Sequence, residues 1–318
     1  MKWLMTMIAL LGMAAASAPL FGDQTVAPAQ PGAVNYVEGK VLLDGRQLTA
    51  DSVGSDAMYA GQVLSTQQGR AEILLTPGVF LRVGHDSAVK MISPALTPTE
   101  VEVEHGLAAI EVDEIHKENL LLVTTAGVTT RLTKTGYYEF NADHPSLKVF
   151  KGEAEVDEGN GRHKKIKGSH QVALVPDAAL RSVKFDTNQS EDALYRWSSL
   201  RSRYLAEANQ QIAGEYAGVD GFAPGWYWDP YGFGYTFIGA DPFFSPFGWN
   251  FYPPWWGGFY GGGWAPRRYT GHFRDFDGPA EERFEHHGFR GGEAHHGGEG
   301  FHGGAGMRGG GGRHEGHH

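Results

Sequence analysis

Ala71-Glu-Ile-Leu-Leu-Thr-Pro-Gly-Val-Phe-Leu-Arg-Val83 consists of two short apolar runs, Ala71–Leu75 and Val79–Val83, joined by Thr76-Pro77-Gly78-Val79. Proline at the second position and glycine at the third suit a type II turn, whose third residue needs a positive φ. The stretch predicts a β-hairpin, and the sequence on both sides repeats its logic. Asp44-Gly45 separates Val41–Leu43 from Gln47–Leu48 and reads as a two-residue hairpin. Asn160-Gly161 within Glu158–Arg162 reads as another. Glu100-Val-Glu-Val-Glu104 and Glu153-Ala-Glu-Val-Asp157 alternate polar and apolar side chains without a fault, the pattern of a strand with one face buried. Leu120–Thr125 and Gln171–Val175 are further short strand candidates. Turn signals recur roughly every 8–12 residues, as in all-β sandwiches and barrels. Residues 33–187 are therefore predicted to be a sandwich or irregular β-roll of short antiparallel strands.

One frame recurs inside this region: Tyr36-x-x-Gly39-x-Val41, Val103-x-x-Gly106-x-Ala108 and Val149-x-x-Gly152-x-Ala154. Glycine within a strand pattern marks a bulge or a close backbone approach. The unequal spacing of the three glycines argues against a solenoid of fixed period and predicts three similarly kinked strands.

Whole-chain properties narrow the function. The 318 residues carry a formal charge of −10 and contain no cysteine. The charge disfavours a nucleic-acid partner, which calls for a basic footprint. Without cysteine there is no disulfide scaffold, no thiolate metal site, no thiol catalysis and no lipidated N-terminal cysteine. Lys2, the apolar run Trp3–Met13 and Ala14-Ala-Ala-Ser-Ala18 have the layout of a secretory signal, residues 1–18, with cleavage expected after Ala16. Residues 19–32 form a Pro/Ala linker. No later run is long and apolar enough for a spanning helix, so the expected location is periplasmic or extracellular.

The order of motifs adds a family likeness. Gly39-Lys-Val41, Ala60-Gly-Gln-Val-Leu-Ser-Thr66, Gly69-Arg-Ala-Glu-Ile-Leu-Leu75, Val103-Glu-His-Gly-Leu-Ala108, Leu122-Val-Thr-Thr125 and Val149-Phe-Lys-Gly-Glu-Ala154 together resemble the FecR-like domain across about Val34 to Val175. The resemblance implies an extracytoplasmic all-β domain without a catalytic residue. In the sigma-regulator members it implies a domain that takes a signal from an outer-membrane receptor and passes it through a membrane helix to an anti-sigma segment. This sequence departs from that design, with a signal peptide in place of the anti-sigma segment and no transmembrane helix.

Residues 188–212 read as one amphipathic helix. Leu194, Trp197, Leu200, Tyr204, Leu205 and Ala208 form its apolar stripe, and Asn188 with Glu191 forms a capping-box-like start. The stripe is expected to close one side of the β domain.

Beyond it the composition shifts to a tail expected to be disordered. Residues 213–270 are a Gly/Pro/aromatic low-complexity segment holding Trp226, Trp228, Trp249, Trp255, Trp256 and Trp264. Glycine and proline interrupt regular structure, yet disordered segments are ordinarily poor in aromatics. These tryptophans are therefore candidate contacts, either with the chain's own domain or with a partner. Residues 271–318 are Gly/His-rich; His286, His287, His295, His296, His302, His314, His317 and His318 are candidate ligands for weak Zn or Ni binding. Residues 219–318 hold 11 acids against 7 bases, so protonation of the tail histidines below about pH 6.5 would reverse its sign.

The motifs of hydrolases, zinc proteases and nucleotide binders are absent. His85-Asp86-Ser87 lists triad residue types but reads as a turn, because adjacent strand residues face opposite ways. His105 reads as a strand-end residue, and Glu102 and Glu104 as a solvated polar face. The sequence thus points to an exported, non-enzymatic binding or scaffolding protein without a resident cofactor. Its expected partner is an unknown envelope protein or a second copy. An envelope sensor component is the alternative, and metal sequestration by the tail histidines a weaker one.

Overall fold

The computed structural model describes residues 29–159, 161–230, 232 and 234–259. All fall within one compact unit, Met1–Pro266, and the second unit, Arg267–His318, lies outside the described residues.

Fifteen strands form one hydrogen-bonded sheet. They are β1 (Val34–Leu43), β2 (Arg46–Leu48), β3 (Val63–Leu74), β4 (Val79–Val83), β5 (Ala88–Pro94), β6 (Thr99–His105), β7 (Leu107–Val112) and β8 (Leu121–Thr125). There follow β9 (Val128–Leu132), β10 (Gly136–Asn141), β11 (Ser146–Lys151), β12 (Glu153–Asp157), β13 (His163–Lys167), β14 (His170–Ala173) and β15 (Val183–Lys184). The sheet order is β13-β12-β9-β8-β6-β5-β3-β4-β7-β10-β11-β14-β15, with β1 on β3 and β2 on β1. The expected antiparallel pairing holds except between β6 and β8, which run parallel.

The predicted turns explain the local connections. The β1–β2 turn uses Asp44 and Gly45 at φ 48 and 81, the signs of a type I′ hairpin. Gly78 sits at φ 79 in the β3–β4 turn. The third predicted hairpin joins β12 to β13; its Asn160 lies outside the described residues.

Strand β3 bends the sheet into a roll. Its first residues, Val63–Ser65, pair with β5, and its last, Ala71–Leu74, pair with β4. One half-sheet thus runs from β13 to β5 and the other from β4 to β15, and both line a single core. Leu64, Val89, Val101, Val123 and Val156 come from the first half, and Ile73, Leu81, Ile110, Tyr138 and Val149 from the second.

The recurrent glycines sit where strands kink or change halves. Gly106 links β6 to β7 and Gly152 links β11 to β12, at φ 69 and 98. A Cβ on Gly152 would collide with the Tyr138 hydroxyl and lie 2.8 Å from the Thr135 carbonyl. The third, Gly39, sits at a register shift of β1 on β3.

The two halves differ on their outer faces. In β6, Val101 and Val103 face the core while Glu100, Glu102 and Glu104 face outward, as the alternation predicts. Every residue of β4 is buried, because the second half is covered on both sides. Its cover is helix α1 (Ala193–Glu215). The chain from Ala193 to Ile212 contains no Gly or Pro and offers Leu, Arg, Ala, Glu and Gln, all good helix formers. The cap is Asp192, not Asn188: Asp192 is extended and its carboxylate accepts from Tyr195 N at 2.8 Å, while Asn188–Ser190 forms a single 3₁₀ turn.

The tail boundary also moves. Residues 225–259, expected to lie in a disordered tail, form β16 (Gly225–Asp229) paired with β17 (Gly234–Ile238), β18 (Phe243–Phe244) paired with β19 (Asn250–Phe251), and a 3₁₀ turn, Pro254–Phe259. Tyr235, Phe237 and Phe251 pack with Leu205, Leu74 and Phe80. Two asparagines supply the hydrogen bonds that this glycine-rich backbone lacks. Asn35 donates to Tyr235 O and accepts from Tyr235 N. Asn209 donates to Phe237 O and Tyr252 O and accepts from Tyr252 N. Fixed backbone partners and a buried apolar face offset the conformational entropy that composition alone leaves unopposed.

Candidate functional site

Two regions of the covered half carry unusual chemistry: the polar layer beneath α1, and the aromatic surface beyond it.

The polar layer begins in the sequence as single charged residues inside apolar runs: Glu72 in β3, Arg82 in β4, Glu111 in β7 and Glu139 in β10. Strand alternation sends all four side chains to the outer face. The helix turns Ser198, Arg201, Ser202 and Asn209 toward that face along with Trp197 and Leu205. Arg82 Nε donates to Glu72 Oε2 at 2.8 Å, and Arg82 Nη1 donates to Glu111 Oε2. Arg201 Nη2 and Asn35 Nδ2 reach the other Glu72 oxygen at 2.8 and 2.9 Å. Ser202 Oγ donates to Glu111 Oε1 at 2.7 Å. Arg82, Glu72 and Glu111 are wholly inaccessible to solvent.

Burial opposes charge on Glu72, but Arg201 and Arg82 outweigh it and hold its carboxyl below the usual range. Burial likewise opposes charge on Arg82, and Glu111 and Glu72 reverse that, pushing it above its usual value. Asp113, on the same face as Glu111, goes the other way: burial, then the Glu111 charge, pushes its carboxyl well above the usual range. The ion pairs of the layer join two guanidinium groups, of Arg82 and Arg201, to two carboxylates, of Glu72 and Glu111. This sealed network fixes α1 on the sheet.

At the N-terminal end of α1, Glu139 is raised to about 7, first by burial and then by the Asp192 carboxylate, against the pull of Lys148 3.0 Å away. Tyr137 is the remaining titratable neighbour that senses it. The folded protein therefore holds a proton that the unfolded chain releases from its ordinary value of 4.5. Stability should fall as pH rises from there through 7, by at most about 3 kcal/mol, and then level off. In Glu139→Gln that part of the slope should vanish; urea unfolding at pH 5 and pH 8 measures it. A slope unchanged by the substitution would refute the assignment.

The aromatic surface divides the candidate tryptophans. Trp226 packs edge-on against Phe80 and Phe237, and Trp228 against Tyr235. Trp249 donates its Nε1 to Ser199 O at 3.0 Å, with Arg203 over its ring. These three make internal contacts. Trp255 and Trp256 are 49% and 36% exposed, and Phe244 is 73% exposed. The two tryptophan rings lie edge to face 5.7 Å apart, and Tyr252 stacks beside Trp256. Trp255 Nε1 donates to Ala240 O at 3.0 Å, which fixes the ring while leaving its face in solvent. Trp264 lies outside the described residues, as do His286, His287, His295, His296, His302, His314, His317 and His318.

The remaining sequence candidates have structural partners. Ser87 Oγ donates to His85 O at 2.7 Å and accepts from Leu107 N, in a turn where Asp86 has φ 45. His105 pairs with Asp143 on the surface. Among the described residues no three acidic or histidine side chains are placed to hold a metal ion, and no helix is long and apolar enough to cross a membrane.

Residues 62–155, from β3 into β12, match the family model described as "FecR protein", so the chain carries a FecR-like domain. Two crystal structures titled "putative anti-sigma factor from Parabacteroides distasonis ATCC 8503", at 2.50 and 1.65 Å resolution, align at 16% identity with a TM-score of 0.34. The alignment covers 40% of this chain and 61% of that one. No curated protein matches the chain.

Proposed function

We propose that this chain is an exported, non-enzymatic binding protein. Its FecR-like roll is a rigid platform, and its aromatic C-terminal region makes contacts with an envelope protein or a second copy. One observation carries the reading: the aromatic segment is divided in use. Trp226, Trp228 and Trp249 anchor it to the platform, while Phe244, Trp255 and Trp256 are held in place with their faces in solvent. Exposed aromatic groups fixed on a rigid support lose little entropy on binding, and tryptophan is prominent among energetic hot spots at interfaces. The Gly/His region that follows extends the contact in a multivalent way. Periplasmic or cell-surface location belongs to the same proposal and rests on the N-terminal signal layout.

The test keeps the platform intact. Trp255→Ala/Trp256→Ala and a chain ending at Phe259 should unfold like the parent on heating. Capture of envelope components, or self-association in sedimentation, should drop about tenfold or more in the double variant. Unchanged capture and association would overturn the proposal. The FecR family match favours a second reading, a component of an envelope signalling pathway. On that reading the captured molecule is a membrane receptor.

A further inference from the structure

The sheet ends at β13, and this end differs in chemistry from the rest of an acidic chain. Arg162-His-Lys-Lys-Ile-Lys167 is almost wholly basic, and every residue of β13 except Ile166 is exposed. Among the described residues strand β12 is its only partner in the sheet, through Glu153–Lys167, Glu155–Lys165 and Asp157–His163. Gly168 N bonds Gly152 O and Glu158 N bonds Arg162 O, so the even-numbered residues turn their backbone groups toward β12. By the alternation of an antiparallel ladder, the N–H and C=O groups of His163, Lys165 and Lys167 point away from the sheet. Their side chains share the outer face, because Ile166 fills the core. Lys165 reaches Glu153 and Glu155 only at 3.4 and 3.6 Å.

We propose that β13 is a docking edge for an acidic, extended segment of a partner protein, which adds as a further strand. Strand addition takes affinity from main-chain hydrogen bonds and selectivity from alternate side chains. Carboxylates at every second position of the guest would fall beside His163, Lys165 and Lys167, and small apolar residues between them would cover the rim above Ile166. A second copy is disfavoured at this edge. Antiparallel β13–β13 pairing would set Lys165 against Lys165, and like charges directly opposite are destabilising. The same lysines that prevent edge-to-edge aggregation therefore select the sign of the guest. This surface is separate from the aromatic one, and either proposal can fail alone.

The experiment uses the full chain and a fluorescent short peptide alternating valine and glutamate, read by anisotropy. Binding should weaken about tenfold or more in Lys165→Glu/Lys167→Glu, and in a peptide N-methylated on the amides that face the edge. A valine–lysine peptide should not bind. Absence of binding to the parent would overturn the proposal, as would equal binding of the N-methylated peptide. Equal competition by inorganic polyphosphate would also overturn it, reducing the edge to a patch of charge. Because a glutamate at 165 or 167 would face Glu155 or Glu153 across the ladder, the neutral Lys165→Gln/Lys167→Gln variant is the folding control: it should melt close to the parent and still bind the peptide more weakly.

Discussion

Arg82→Met is expected to destabilise the protein by about 3–5 kcal/mol, the range for removing one partner of a buried ion pair. Methionine fills much of the same volume, so the loss is electrostatic. Glu72 and Glu111 would remain in a site with no access to water, and Arg201, bonded to Glu72, could not serve both. Native domains are stable by only about 5–15 kcal/mol, so the variant should sit near its unfolding midpoint under mild denaturant. Adding Glu111→Gln should restore part of the loss, because it removes the charge left without a guanidinium. Urea unfolding of parent, single and double variants measures both effects. If the single variant costs less than about 1 kcal/mol, an ordinary surface value, the network does not hold the helix.

Gly152→Ala should cost about 2–4 kcal/mol. The backbone there has φ 98, where an L side chain is strained, and the added carbon would displace the Tyr138 hydroxyl. That hydroxyl donates to Lys134 O at 2.6 Å and accepts from Glu153 N at 3.1 Å. The substitution therefore strains the crossing between the half-sheets and breaks the bonds that staple it. Gly161→Ala, whose added carbon would meet nothing within 4 Å, is the control and should cost only the strain of its positive φ. Equal melting temperatures for the two variants would rule out the steric part of the argument.

How much of this was legible follows from the range of each signal. The β1–β2 and β3–β4 hairpins, the alternating strands and the three kink glycines are written in neighbouring residues. They were readable because turn geometry and side-chain parity are local. The conduct of residues 225–259 was not. Composition records that glycine and proline interrupt regular structure. It does not record that Asn35 and Asn209 each satisfy a distant backbone. Glu72 and Arg82 were a missed signal: a charge inside an otherwise apolar strand needs a buried partner or a second layer, and here it has both. The candidate tryptophans were equivalent in sequence, and only the packing separates the anchors from the exposed pair. The basic run at 162–167 was visible, but its place at a sheet end depends on the order of strands, which no local pattern encodes.

The bond from Asn35 to Tyr235 joins residues 200 positions apart, and that separation governs the order of assembly. A ribosome releases the chain from its N-terminus, so Glu72, Arg82 and Glu111 all emerge well before Arg201 can join them. The strands alone thus lack both the Arg201 guanidinium and the helix cover that complete the polar layer. Completion waits for the helix and the aromatic hairpins, which lock the structure from the far end.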